Sequence, residues 1–298
     1  MQTSRILRQA AAGMVLVLAC FLLPAGALAQ AEVKSGFVDV KHGRLFYEEA
    51  GVGPVVVLIH GGNLDRRMWD EQFLLFAREF WVIRYDVRGF GKSTQLTHAY
   101  SDTDDLASLL DHLRITKAHL VGLSMGGRIA IDFALVHPDK VLSLVLAGPG
   151  VSGFNFDASA MAQFWEVVRV AQEKGPEAAS ETWLKNPYMA PAMGNPVLAA
   201  RIREISHENR HVFLSNPLLG HRLSPPAMHR LGELRAPILL VVGDRDVNDI
   251  LAICGILEVR APQAKKIVIR EAGHMVNMEK PAEFDQAVLT FLRARAKE

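Results

Sequence analysis

A serine lies between glycines in the stretch Val121-Gly122-Leu123-Ser124-Met125-Gly126-Gly127. The apolar run 118–121 leads into it and a helix-like segment, 128–136, follows. That is the strand, turn and helix context in which Gly-x-Ser-x-Gly presents a nucleophile. Such a turn is too tight for side chains beside the serine, and it holds the hydroxyl out at the end of a sheet. The chemistry would be attack on a carbonyl. A serine hydroxyl is a poor nucleophile until a base takes its proton, so a histidine must reach it. His274, in Glu271-Ala272-Gly273-His274-Met275, follows the last apolar run, 266–269. Its position places it on a loop at the sheet edge that also carries Ser124, in the chain order serine, acid, histidine. Because Gly-x-Ser-x-Gly also arises by chance, the surrounding elements must carry the argument.

Those elements alternate. Residues 37–40 and 44–50 predict two early strands joined through His42-Gly43. Val55-Val56-Val57-Leu58-Ile59 is a continuous apolar run, as expected for a strand buried on both faces. Residues 81–85, 118–121, 141–147, 238–242 and 266–269 repeat that pattern, and helical periodicity occupies 69–80, 102–113, 126–136 and 282–294. Strands alternating with helices predict a mostly parallel sheet with helices on both faces, an α/β fold. No internal repeat or low-complexity segment interrupts it.

One region breaks the alternation. Between about residues 151 and 235 there is no strongly β-like run, only helical pieces at 160–174, 177–184 and 196–214, separated by Pro187, Pro191 and Pro217. A helical insertion between two strands predicts a lid over the sheet's carboxyl edge. Its Phe154, Phe156, Phe164, Trp165, Trp183, Tyr188 and Met189 read more readily as the lid's own core than as substrate contacts. The division expected is therefore core at 30–150, cap at 151–235 and core again at 236–298.

The N-terminus predicts the compartment. Arg5 and Arg8 precede an apolar run from residue 10 to 23, then Pro24, Gly26 and Ala27-Leu28-Ala29. A charged start, an apolar middle and small residues before a cleavage point describe a secretory signal peptide, 1–29. Cleavage after Ala29 is preferred and after Ala31 is second. A retained anchor is disfavoured because the run is short of the ~20 residues of a comfortable span; a lipoprotein at Cys20 fits poorly, because the apolar run continues past it. The expected location is periplasmic or secreted, with no stable membrane insertion once the leader is removed. Removal of its two arginines takes the formal charge of the chain from +1 to −1. A near-neutral chain without a basic block offers nothing to nucleic acid. Cys20 leaves with the leader, so Cys254 has no partner for an internal disulfide.

With His60-Gly61-Gly62-Asn63, the stretch from Asp86 to Ser93, Gly122-Leu123-Ser124-Met125-Gly126-Gly127, Gly243-Asp244-Arg245-Asp246 and Gly273-His274, the chain resembles the α/β-hydrolase superfamily. Within it, the chain resembles the capped single-domain serine hydrolases that include esterases, enol-lactonases and carbon–carbon bond hydrolases. The resemblance covers nearly everything after the leader, and its motifs are specific for the superfamily but not for a substrate. It implies a catalytic triad of Ser124, Asp246 and His274. Gly243-x-x-Asp246 matches the family's spacing, while Asp244 and Asp249 are rivals: Asp244 reads as a turn residue, and Asp249 as the cap of a helix beginning at Ile250. The proline that family members usually carry shortly after the acid is missing. His60 resembles the family's structural histidine. The oxyanion hole would take backbone N–H groups of Met125 and Gly62, with Asn63 as a further contributor. Asp86 and Arg88 would fix their loop by pairing and hydrogen bonds.

These readings imply a hydrolase that moves an acyl group to water through an acyl-enzyme, acting on small to medium esters or lactones. Hydrolysis of a carbon–carbon bond in a diketone is the alternative, since such relatives share the triad. A non-catalytic ligand receptor on the same scaffold is a third class. Serine at the nucleophile position argues against epoxide opening and dehalogenation, for which relatives use aspartate. No Gly-x-Gly-x-x-Gly opens a helix after the first strand, and no His, Cys or carboxylate cluster has metal spacing. Neither cofactor nor metal is therefore expected.

Overall fold

The computed structural model describes residues 32–296; the leader reading lies outside them. The chain runs β1 (Lys34–Val40), β2 (Gly43–Ala50), β3 (Val55–Ile59), α1 (Asp70–Phe76), β4 (Trp81–Tyr85), α2 (Asp102–His112), β5 (Ala118–Leu123), α3 (Met125–Val136) and β6 (Val141–Ala147). A helical stretch follows, with α4 (Ala158–Lys174), α5 (Pro176–Trp183), α6 (Ala190–Met193) and α7 (Pro196–Glu208). The sheet then resumes with β7 (Ile238–Gly243), α8 (Asn248–Arg260) and β8 (Ala264–Ile269), and the chain ends in α9 (Val276–Glu279) and α10 (Pro281–Arg295).

The eight strands form one sheet in the order β1-β2-β4-β3-β5-β6-β7-β8. β1 and β2 form an antiparallel hairpin, and β2 meets β4 antiparallel. Every pair from β4 to β8 is parallel. The elements expected from the sequence are thus present, and the differences are at their ends. The helical period expected over 69–80 shortens to α1, and that over 196–214 ends in α7, with a 3-10 turn completing it at Arg210–Leu214.

Period-2 alternation sorts the central strands between two faces. Val57, Ile59, Leu144, Leu146, Leu240 and Val242 pack with Leu106 and Leu109 of α2, Ile129 of α3 and Ile253 of α8. Their neighbours Val56, Leu58, Val145, Ala147, Leu239 and Val241 pack with Phe73 of α1 and with Phe284, Val288 and Leu292 of α10. Both strand faces are covered, so these runs are apolar throughout. Each fully buried aliphatic or aromatic side chain contributes about 1.5–3 kcal/mol relative to exposure. Among the described residues cysteine plays no covalent part: Cys254 is a buried free thiol whose pKa burial pushes up to about 12.

A parallel sheet directs the carboxyl ends of its strands to one edge, and the loops leaving β3, β5, β6, β7 and β8 gather there. The helices between β6 and β7 supply the other wall. Leu184, Met189 of the turn before α6, and Ile202 and Ile205 of α7 join the core on the α10 side.

Candidate active site

Ser124 occupies the single residue between β5 and α3, with φ 54° and ψ −110°. Positive φ is strained for a residue with a side chain and persists only where the surroundings impose it. The Ser124 N–H donates to the Ala147 carbonyl, and its own carbonyl accepts from the N–H groups of Arg128 and Gly150, all at 3.0 Å. Gly122 is required at the approach: a Cβ there would lie 2.3 Å from the Gly126 carbonyl oxygen.

His274 lies on the loop between β8 and α9, and Asp246 on the turn after β7. The Asp246 Oδ1 and Oδ2 atoms lie 3.1 and 3.0 Å from His274 Nδ1. Both side chains are buried, with residue exposures of 6 % and 4 %. A carboxylate on Nδ1 assigns the proton to that nitrogen and leaves Nε2 with its lone pair, the tautomer a general base requires. The Asp246 N–H closes a turn onto the Gly243 carbonyl, and Oδ1 also accepts from the Val247 N–H at 2.8 Å. Gly148, at φ 44° after β6, makes room for the pair, since a Cβ on it would lie 2.9 Å from Asp246 Oδ2.

The two rival acids go elsewhere. Asp244 is exposed, and its N–H donates to the Ile269 carbonyl. Asp249 does not cap its helix: α8 begins at Asn248 with Val247 before it. Its carboxylate instead accepts from the Asp157 N–H at the start of α4, 3.0 Å away. Only the folded turn decides this, because all three aspartates lie within one short segment after the same strand.

Ser124 and His274 open onto one cavity of about 490 Å³, with Asp246 behind the imidazole and outside the lining. Gly61, Gly62, Asn63 and Met125 border the same cavity. The Gly61 N–H turns away onto the Met68 sulfur at 3.1 Å. The N–H groups of Gly62 and Asn63 on the β3 loop, and of Met125 at the start of α3, belong to cavity-lining residues and are taken up by no hydrogen bond among the described residues. A pair of preorganised donors at a helix N-terminus suits the negative charge that develops on a carbonyl under attack.

His60 is fully buried and does not join Ser124. Its Nε2 accepts from the Val87 N–H at 2.9 Å and its Nδ1 contacts the Gly61 carbonyl at 2.8 Å. Burial holds its pKa below the ordinary histidine value, which suits a neutral brace between two loops. Asp86 accepts from the Arg66 and Lys92 N–H groups and pairs with the Arg66 guanidinium. Arg88 forms a two-pronged pair with Asp105 at 2.8 and 2.6 Å. The loop after β4 is therefore fixed as expected, by partners from other elements.

The expectation for the lid aromatics needs correction. Phe154, Phe156, Phe164, Trp183, Tyr188 and Met189 all line the cavity, Phe164 while still 42 % exposed, and Trp165 alone of the seven is outside the lining, at 54 % exposure. Tyr188 stands edge-on to the His274 ring, with centroids 4.8 Å apart, and stacks on Trp183. Burial pushes the Tyr188 hydroxyl up to about 12. A helical insertion must cover the sheet edge with apolar side chains, and the catalytic cavity lies in that same seam.

The sequence reading missed Glu279. Its carboxylate accepts from the N–H groups of Gly273 and Met275, at 2.8 and 2.9 Å, on either side of His274. Burial raises its pKa, against the two hydrogen bonds that favour the charged form. A glutamate five residues after the histidine, at the end of the short helix α9, was the available signal. Among the described residues no three of His, Cys, Asp and Glu gather as a metal site would need, and no helix is long and apolar enough to cross a membrane.

Known proteins resemble this chain along most of its length. A family model described as the alpha/beta hydrolase family matches residues 56–287. A 2-hydroxy-6-oxononadienedioate/2-hydroxy-6-oxononatrienedioate hydrolase from Burkholderia vietnamiensis is 31% identical over 266 residues, covering 84% of this chain and 91% of that protein. A thermophilic esterase from Thermogutta terrifontis superposes with a TM-score of 0.74 at 28% identity, over 88% of this chain and 99% of its own. The enol-lactonase from Burkholderia xenovorans LB400 superposes with a TM-score of 0.75 at 25% identity, over 87% of this chain and 100% of its own.

Proposed function

The chain belongs to the alpha/beta hydrolase family, and from that premise we propose that it is a serine hydrolase cleaving carboxylic esters or lactones of small to medium size. The observation that carries this reading is the arrangement around one cavity: Asp246 bonded to His274 Nδ1, and His274 sharing the cavity with a serine in a strained strand-to-helix turn. A volume of about 490 Å³, lined mostly by apolar side chains, suits a small organic acyl group.

In this mechanism His274 Nε2 takes the proton of Ser124 Oγ as the oxygen attacks the substrate carbonyl. The carbonyl π electrons move onto oxygen, where the N–H groups of Met125 and Gly62 receive the charge. As the tetrahedral intermediate collapses, the protonated His274 gives its proton to the leaving alcohol, and an ester to Ser124 remains. Water then attacks that ester with His274 again as base, releasing the acid and restoring the serine. Asp246 holds the imidazole and stabilises the imidazolium without taking a proton.

A second reading is favoured by the relative from Burkholderia vietnamiensis, whose name describes hydrolysis of a 6-oxo dienedioate. There the bond broken would join two carbons. The same serine, histidine and oxyanion donors serve that reaction, so the scaffold accommodates both. The charged start and apolar run before Ala27-Leu28-Ala29 support export of the mature enzyme to the periplasm or medium, where esters from outside the cell are the substrates met.

The test is steady-state turnover of an ester panel spanning acyl lengths, with a fluorophosphonate probe on wild type and Ser124→Ala. Multiple turnover and labelling should both be lost in the variant, leaving at most a residual ~10³ over water. Labelling that persists in Ser124→Ala would identify another serine. A single bound product without turnover would favour the receptor class.

A further inference from the structure

Besides His274, the cavity that Ser124 faces is lined by two side chains that carry charge, Arg128 and Arg222, and both are cations. Among the described residues no aspartate or glutamate lines it. The two arginines differ in one respect. Arg128 lies one turn beyond Ser124 on α3, and its guanidinium meets Asp102 at 2.7 Å and Asp132 at 3.2 Å. Its charge is matched by protein carboxylates. Arg222 lies two residues after Gly220, which bridges to Tyr100, and takes part in none of the ion pairs of the described residues. On its far side lies a second, polar cavity of about 260 Å³, bordered by Asp102, Asp104, Asp132 and both arginines. Two of those three acids are already held by Arg128.

Resting on the hydrolase reading above, we propose that Arg222 is a substrate-binding residue that receives a carboxylate distal to the scissile carbonyl, so that the preferred substrates are esters with an anionic end. A cation at the rim of a mostly apolar cavity gives nothing to a neutral ester. It gives an anionic one a partner where protein walls exclude part of the water and strengthen the attraction. Guanidinium is matched to this task, because its planar fork can donate two parallel hydrogen bonds to one carboxylate. The aromatic lining from Phe154 to Phe164 covers the apolar chain between the two polar ends. The opposite sign is disfavoured, since a substrate ammonium would meet two arginines and no carboxylate.

The experiment compares kcat/KM for p-nitrophenyl hemi-esters of glutaric and adipic acid with those for neutral p-nitrophenyl esters of equal length. A second arm places the carboxylate on the alcohol half, comparing butyryl esters of ω-hydroxy acids with the methyl esters of the same compounds. The anionic member of at least one arm should be preferred about five- to tenfold, and the preference should shrink as salt is added, because the arginine is partly exposed and screened. In Arg222→Gln the ratio should fall to about one, in Arg222→Glu below one, and in Arg222→Lys it should be partly kept. Arg222 is exposed, so these variants should fold, which thermal melting checks. No preference in either arm, or one that survives Arg222→Gln, would overturn the proposal while leaving the hydrolase intact. A wild type that turns over no ester of either charge would instead remove the hydrolase reading beneath it.

Discussion

Glu279→Gln isolates the contribution of a residue that touches neither the cavity nor the triad side chains. The Glu279 carboxylate accepts from the N–H groups of Gly273 and Met275, at 2.8 and 2.9 Å, and so pins the backbone on both sides of His274. Glutamine keeps one acceptor oxygen and turns its amide N–H₂ toward the other backbone donor, where two donors oppose each other. A hydrogen bond to a charged group is worth about 1.5–3 kcal/mol, so loss of one and weakening of the other should destabilise this loop by roughly 2 kcal/mol. The alternative is for the loop to move. A displacement of His274 of ~1 Å relative to Ser124 would cost about 10²-fold in turnover. The expectation is therefore a fall in kcat of about ten- to a hundredfold with a much smaller change in KM, since Glu279 is not part of the cavity lining. Glu279→Asp, too short to reach both donors, should be intermediate. Steady-state kinetics and urea unfolding on the three proteins read the two effects separately. Glu279→Gln with kcat within about twofold of wild type would refute the argument, because the loop would then be held by other contacts, such as Asn277 Nδ2 on the Met68 carbonyl.

Further expectations concern the acid, a buried carboxyl and the leader. Asp246→Asn should lower kcat by about 10⁴ while the protein stays folded, because the imidazole loses its tautomer; a larger loss in Asp244→Asn than in Asp246→Asn would reverse the assignment. Asp285, buried against Gln72, has its carboxyl pushed up to about 6, chiefly by desolvation. Its folded value exceeds its unfolded one, so its contribution to stability is greatest below the unfolded value near 4 and declines as pH rises through about 6. Asp285→Asn should accordingly gain on wild type by about 1 kcal/mol at pH 8 and by nothing at pH 4, and denaturant midpoints that run parallel at both pH values would contradict this. N-terminal sequencing of the protein from its own host should find Gln30 or a neighbour first, in material outside the cytoplasm; an intact Met1 in the cytoplasmic fraction would rule out export.

Local pattern was enough for much of this protein. Strands buried on both faces are apolar without interruption, and the helices between them keep a separate period, so the alternation that builds a parallel sheet was readable as far as its ends. The serine's turn was readable too, because its geometry is set within five residues and excludes side chains at Gly122. Three matters were not local. Asp244, Asp246 and Asp249 follow the same strand, and the choice rests on a turn that aims one carboxylate at a histidine 28 residues away and another at the start of α4. The lid's large apolar side chains have the same character whether they face lid or cavity, and only the packing of the insertion on the sheet edge turned five aromatics and Met189 to the cavity. Arg222 gave no sign of its setting, since its place on the cavity lining without an ion pair is a property of everything the fold places around it. Tertiary structure decided these points because each is a relation between surfaces brought together by the fold, whereas periodicity and turn chemistry act between near neighbours along the chain.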